Sequence, residues 1–261
     1  MQQSVIRRII IKYLQLKSLW KPYGYFGDFA NWKDASAETG SYDDARIFNR
    51  VLEASRDVRD DKAKYERDGI AFNDTFHWEA LKYFREAAKG KNTLKVLDFG
   101  GALGSHYYPT QKALKDIQLD WTIIEQEGFV QHGKEEFAKE HLHFEANLEV
   151  ALSKEYDLIL LGCVLPYLPN PYEVLTKLTA AKANYLLIDK HPLIAGTKDR
   201  LTIQRIPPSI YEASYPAWFF SESKFLAFMK GHELVDSYDC PDIFNINSQF
   251  KSYFYQLKHD A

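Results

Sequence analysis

The spacing of apolar and polar positions changes character near residue 94. Upstream, Ala45, Phe48, Val51 and Leu52 recur on one stripe behind Ser41, which predicts a capped helix to about Arg59. A second helix is expected from Asp74 or Thr75, with Phe76, Leu81 and Phe84 facing inward. From Leu94 onward, short apolar runs alternate with helical segments: LKVLDFG, DWTIIEQ, LHFEA, YDLILLGCV and NYLLID read as five strands. Helices are expected between them to about Asp116, from about Gly128 to Glu140, and from Pro171 to about Ala181 with Asn170 as N-cap. Strands that alternate with helices imply a doubly wound, mostly parallel α/β sheet covered on both faces. At the end, Ser221 caps a helix to about Lys230, and HELVDSYD and QFKSYFYQLK follow as strands. Their short link, residues 241–248, suits an antiparallel pair, because a parallel return needs a longer crossover.

Two segments stand outside this alternation. Residues 20–42 are glycine-punctuated and rich in rings, a loop by its breakers. Residues 198–220 read as a cap insertion, carrying Arg200, Arg205, Tyr211, Tyr215, Trp218 and Phe219 and stiffened by Pro207-Pro208 and Tyr215-Pro216. The expected organisation is therefore a helical and aromatic cap over 1–64, then one large domain over 65–261 with that insertion.

Composition narrows the class. The chain has 261 residues, of which 15% are aromatic, which excludes collagen-like and disordered readings. A net charge of −3 argues against nucleic acid as a partner. Cys163 and Cys240 cannot form a disulfide framework and no CxxC offers a zinc site, so no metal is expected and a reduced, cytoplasmic setting fits. The first 21 residues carry Arg7, Arg8, Lys12, Lys17 and Lys21 with no acid among them. Such a helix either packs on its own domain or, through residues 1–18, lies peripherally on an anionic membrane.

The chemistry is carried by Val96-Leu97-Asp98-Phe99-Gly100-Gly101-Ala102-Leu103-Gly104. A strand running into glycines lets a ligand approach the backbone closely. The dinucleotide pattern G-x-G-x-x-G fails at Ala102 and Ser105, and no Lys-Ser/Thr pair completes a phosphate loop. Asp98 ends the strand, where a carboxylate repels a pyrophosphate but suits a cofactor bearing an amino group beside a sulfonium, as in S-adenosylmethionine. Glu125 ends the next strand, 27 residues on, where an acid accepts hydrogen bonds from both ribose hydroxyls. Asn147 follows the third strand, near where an adenine amino group needs an acceptor; a turn or helix-cap role competes. Cys163 ends the fourth strand and walls the methionine end, or is a small packing residue.

On these residues the chain resembles a class I S-adenosylmethionine-dependent methyltransferase. VLDFGGALG, Glu125, Asn147 and YDLILLGCVLPYL stand in the family order over about residues 65–258. Closer still, WKPYGYFGDFANW, GSYDD, YERDGIAF, DFGGALGSHYY, WTIIEQ, VLPYLPNP and ASYPAW are similar to a group of bacterial methyltransferases associated with surface-polysaccharide genes. The resemblance implies a Rossmann-like, seven-stranded sheet with a reversed strand, and a cofactor held by Asp98, Gly100, Gly101, Gly104, Glu125, Asn147 and Cys163. Arg67, upstream of the glycines, is the candidate for the cofactor's carboxylate, its planar fork matching that group; a surface ion pair is the plainer role. The middle glycine of the family pattern is Ala102 here.

Methyl transfer to oxygen needs an aligned nucleophile and a base. His191, just past the fifth strand, is the first candidate base, and His106, after the glycines, the second. The expected reaction is methylation of a small or carbohydrate-type acceptor at oxygen. A catalytically silent binding or assembly protein, or a dinucleotide enzyme, are the alternatives.

Overall fold

The computed structural model describes residues 21–39, 45–76, 78–210, 212–242 and 244–258. The predicted cap at Ser41 and the basic segment 1–18 lie outside them. The chain enters through strand β1 (Gly24–Phe29) and helices α1 (Trp32–Ala37) and α2 (Ala45–Arg59). A short hairpin, β2 (Tyr65–Arg67) and β3 (Ile70–Phe72), precedes α3 (Leu81–Ala87). The alternating part comprises β4 (Thr93–Phe99), α4 (Tyr107–Ala113), β5 (Gln118–Ile124), α5 (Glu127–His132), β6 (Leu142–Glu145), α6 (Leu148–Leu152), β7 (Tyr156–Gly162), α7 (Pro171–Thr179) and β8 (Ala183–Ile194). Strands β9 (Arg200–Arg205) and β10 (Ser214–Ser221), helix α8 (Glu222–Phe228), and strands β11 (Glu233–Cys240) and β12 (Gln249–Gln256) complete it.

The central sheet has the order β6-β5-β4-β7-β8-β12-β11. Its neighbours are parallel except β12, which runs antiparallel to both β8 and β11. This is the doubly wound, mostly parallel Rossmann-like sheet with a reversed strand that the sequence implies. Strand alternation divides the apolar residues between its two faces. Val96, Trp121, Ile123, Leu158, Leu160, Leu187 and Phe254 pack on one side with α2 and α3 residues. Leu97, Ile124, Ile159, Leu161, Leu186, Ile188, Tyr253 and Tyr255 pack on the other with Leu175, Leu178 and Phe225. Such double-sided burial explains why YDLILLG shows no alternation: every residue from Tyr156 to Leu161 is buried.

Three local expectations are corrected. Residues 24–29 are a strand, not loop: β1 pairs antiparallel with β9, and β9 with β10, which joins β8 in parallel at Phe220 and Ser221. The 198–220 region thus extends the sheet, its Leu201, Ile203, Ala217 and Phe219 being buried. No helix starts at Asp74 or Thr75. Instead the rings of Tyr65, Phe76, Trp78 and Phe84 pack in sequence, with centroids 4.7, 5.8 and 5.3 Å apart, and this burial outweighs helix propensity until Leu81. The fifth strand does not end at Asp189 but continues to Ile194 through a bulge. Lys190 there has φ of 54°, and β12 spends one residue fewer, pairing Lys251 with His191 and Tyr253 with Ile188.

Candidate active site

The parallel strands β4, β7 and β8 are neighbours, and just past the C-terminal end of the parallel-paired stretch of each stands a non-glycine residue in the left-handed region. Ala102, Cys163 and Lys190 have φ of 49°, 56° and 54°. Each such residue costs about 1–3 kcal/mol, and clustered strain marks functional edges. At Ala102 the value also explains why the family pattern has glycine at this position.

The turn after β4 is built by close approach. A Cβ on Gly101 would stand 2.3 Å from Asp98 Oδ2, and one on Gly100 2.6 Å from Val164 Cγ2. Gly104, at φ 105°, leaves room for the Tyr108 ring. Glu125, at the end of β5, ties this turn down: its Oε1 accepts from the Ala102 N–H (3.2 Å) and its Oε2 from the Gln126 N–H (2.9 Å).

Asp98 is fully buried at the base of the turn. Its carboxylate lies 3.1 and 3.2 Å from His106 Nδ1 and accepts from Trp121 Nε1 at 3.3 Å. Asp98 is thus committed to an imidazole and an indole. The His106 ring lies flat over the end of β7, and a Cβ on Gly162 would come within 2.3 Å of its Cε1 and 2.6 Å of its Nε2. Trp78 stacks on the same ring, centroids 5.2 Å apart at 25°. Burial pulls the His106 pKa down, but the charge and hydrogen bond of Asp98, aided by Asp189 and Glu66, prevail and raise it above the ordinary histidine value. The side chain keeps 20% exposure. This is a carboxylate–imidazole pair with one nitrogen oriented and the other left at the strand ends.

The upstream hairpin contributes Glu66, not Arg67, to the turn. Glu66 is buried, accepts from the Gly69 N–H at 2.8 Å, and takes a short hydrogen bond from the Ser105 hydroxyl. Burial pushes its carboxyl up despite these two donors. Asp68 and Gly69, with φ of 54° and 70°, form the two-residue turn of this hairpin. That Asp-Gly pair is the sequence signal by which the hairpin, and with it Glu66, is recognisable. Arg67 lines a cavity of about 590 Å³ with Phe76, Trp78, Lys190, Tyr238 and Asp242 among its walls.

Asn147 and Cys163 have local roles. The exposed Asn147 is the N-cap of α6, its Oδ1 accepting from the Glu149 and Val150 N–H groups at 2.9 and 3.3 Å. Burial pushes the Cys163 thiol up to about 12, so it is protonated and no nucleophile.

His191 does not join the site. The bulge at Lys190 turns it to the opposite face, where it is buried between Phe220 and Phe225, each ring centroid 4.3 Å away. Desolvation lowers its pKa to about 3, and Nε2 meets no partner among the described residues. The folded pKa is below the unfolded value of about 6.5, so the unfolded chain binds the extra proton between them and stability falls as pH falls. Between pH 7 and pH 5 this group is expected to remove about 2 kcal/mol of stability. Urea midpoints of wild type and His191→Leu at both pH values test this. The variant should lose distinctly less on acidification, and equal losses would exclude a buried neutral imidazole.

Among the described residues, no helix is long and apolar enough to cross a membrane. No family profile matches the chain, and no curated protein does. Among solved structures it is similar to the N-terminal domain of EvdMO1 in the presence of SAH and D-fucose, with 14% identity, TM-score 0.49, and coverage of 84% of this chain and 98% of that one. It is similar to the glycopeptide N-methyltransferase MtfA complexed with S-adenosyl-L-methionine, with 9% identity, TM-score 0.48, and coverage of 70% and 96%. A further similar structure is the Burkholderia thailandensis 1,6-didemethyltoxoflavin-N1-methyltransferase with bound 1,6-didemethyltoxoflavin and S-adenosylhomocysteine, with 15% identity, TM-score 0.47, and coverage of 90% and 94%.

Proposed function

We propose that this chain transfers a methyl group from S-adenosyl-L-methionine to a hydroxyl of a small or carbohydrate-type acceptor. The observation that carries this reading is a convergence at the ends of adjacent parallel strands. There the glycine turn 100–104, the Glu125 carboxylate bound to it and the Asp98–His106 pair come together. Ligands of open α/β sheets bind at this edge.

The turn fits the cofactor because its backbone is bare where side chains at Gly100 and Gly101 would collide. Glu125 is the group for the ribose hydroxyls, since an ionised carboxylate only accepts hydrogen bonds. When bound, the cofactor supplies an electrophilic methyl on a sulfonium. His106 accepts the acceptor's hydroxyl proton at Nε2. Asp98 holds Nδ1–H, selects that tautomer and stabilises the imidazolium, as the acid of a catalytic triad does. The cavity beside Trp78 is the acceptor pocket, of a size usual for small-molecule sites. Its walls combine donors (Arg67, Lys190) and acceptors (Asp239, Asp242) with the rings of Trp78 and Tyr238, a surface suited to a polyhydroxylated molecule.

Calorimetry with S-adenosylhomocysteine tests the cofactor. Wild type should bind, and Glu125→Gln should bind about ten- to a hundredfold more weakly, the loss of charge-assisted hydrogen bonds. Absence of heat with wild type, or equal affinity of the variant, removes this assignment; a thermal shift with NAD instead would favour a dinucleotide site.

A further inference from the structure

One buried carboxylate has no role in the reaction outlined above. Asp189, 4% exposed near the C-terminal end of the β8 stretch that pairs with β7, accepts three hydrogen bonds. Trp78 Nε1 donates to its Oδ2 at 2.8 Å, Tyr238 Oη donates to its Oδ1 at 2.7 Å, and the Ser252 hydroxyl makes a short bond to Oδ1. Ser252 also accepts from the N–H of Lys190, the bulge residue. A buried carboxylate is costly, and a well-packed apolar residue often serves stability as well or better. Here, however, the two rings it holds are walls of one cavity, and one of them is stacked on His106.

We infer that Asp189 is a positioning residue: through Trp78 and Tyr238 it sets the acceptor cavity against the His106 ring. The indole has one face on the imidazole, and its N–H fixes the ring's rotation, so one carboxylate registers the base with two cavity walls. The bulge at Lys190 makes this possible. Asp189 lies before it and serves the site face, whereas His191 lies after it and is turned to the other. The charged groups around His106 are Asp98 from β4, Glu66 from β2 and Asp189 from β8. The assignment rests on His106 being the base, but its geometric core does not depend on cofactor or acceptor.

The test uses Asp189→Asn, which keeps the shape and loses the charge, and Trp78→Phe, which keeps a ring and loses the donor. Nuclear magnetic resonance follows the His106 Cε1–H titration and the solvent exchange of the Trp78 indole proton. Calorimetry follows S-adenosylhomocysteine. In Asp189→Asn the indole proton is expected to exchange about tenfold faster or more, one hydrogen bond's worth. The His106 midpoint should move down toward the ordinary histidine value, with S-adenosylhomocysteine affinity within a few-fold of wild type. Trp78→Phe should shift the His106 Cε1–H resonance through the altered stack while leaving a raised midpoint. An unchanged His106 midpoint and unchanged indole exchange in Asp189→Asn would overturn the inference. So would a uniform loss of S-adenosylhomocysteine binding with no His106 response, the mark of a merely structural residue. If Asp189→Asn does not fold, an unshifted His106 resonance in Trp78→Phe overturns it alone. Failure of wild type to bind S-adenosylhomocysteine would instead strike the methyltransferase reading, and the His106 titration would still stand.

Discussion

His106→Gln is expected to lower the rate of methyl transfer about a hundred- to ten-thousandfold, the range for losing a positioned general base. Glutamine matches the imidazole's reach but accepts no proton near neutrality. The fully buried Asp98 would still find an N–H donor, so the turn should hold and S-adenosylhomocysteine should bind as in wild type. The pH profile separates this from a packing defect. Burial pulls the pKa of His106 down but Asp98 outweighs it and raises it, so the basic form takes over at higher pH than in an ordinary histidine. In wild type kcat/KM should climb with pH through a limb above about 6.5, the unperturbed histidine value. In His106→Gln that limb should vanish. A variant retaining most of the activity, or the same limb, would take the base role away from His106.

Gly101→Ala is expected to do comparable damage by another route. The added methyl would stand 2.3 Å from Asp98 Oδ2 and 2.5 Å from its Cγ, and Asp98 is fully buried and has no solvent to swing into. Either the turn lifts or the carboxylate leaves Trp121 and His106. Overpacking of this kind costs about 1–3 kcal/mol of stability. Because the displaced atoms are the cofactor turn and the base's partner, S-adenosylhomocysteine binding and activity should both fall below detection while the chain still folds. Gly128→Ala is the control: nothing lies within 4 Å of its added Cβ, and alanine in a helix should leave stability equal or slightly higher. Thermal melts with and without S-adenosylhomocysteine compare the two. A ligand-induced shift of wild-type size in Gly101→Ala would show that the turn does not hold the cofactor.

Much of this molecule is legible in its sequence, for a physical reason that differs by element. The parallel strands announce themselves because burial on both faces demands unbroken apolar runs, as in Tyr156–Leu161. The glycine turn is legible because only glycine permits the close approach at Gly100 and Gly101, and Glu125 because a strand-end acid at that spacing meets the same turn. The hairpin carrying Glu66 is not among the predicted elements, although Asp68-Gly69, a pair that turns a chain in two residues, signals it. The strands β1, β9 and β10 were less visible, since glycines and prolines that punctuate a sequence also sit at the edges of small antiparallel sheets.

The sequence by itself determined the central parallel strands and the antiparallel pair that closes them, the position of the glycine turn and the acid that faces it, because these follow from local chain geometry and from periods of two and of three to four residues. Only the tertiary structure decided which histidine belongs to the site. His106 and His191 look alike along the chain, each a few residues beyond a strand. A single extra residue at Lys190 reverses the faces of β8 and buries His191 between two phenylalanines, while the turn after Gly104 lays His106 on Asp98. Side-chain direction in a strand alternates with every residue, so one bulge, set by pairing with a strand some sixty residues away, decides which side chain reaches the site.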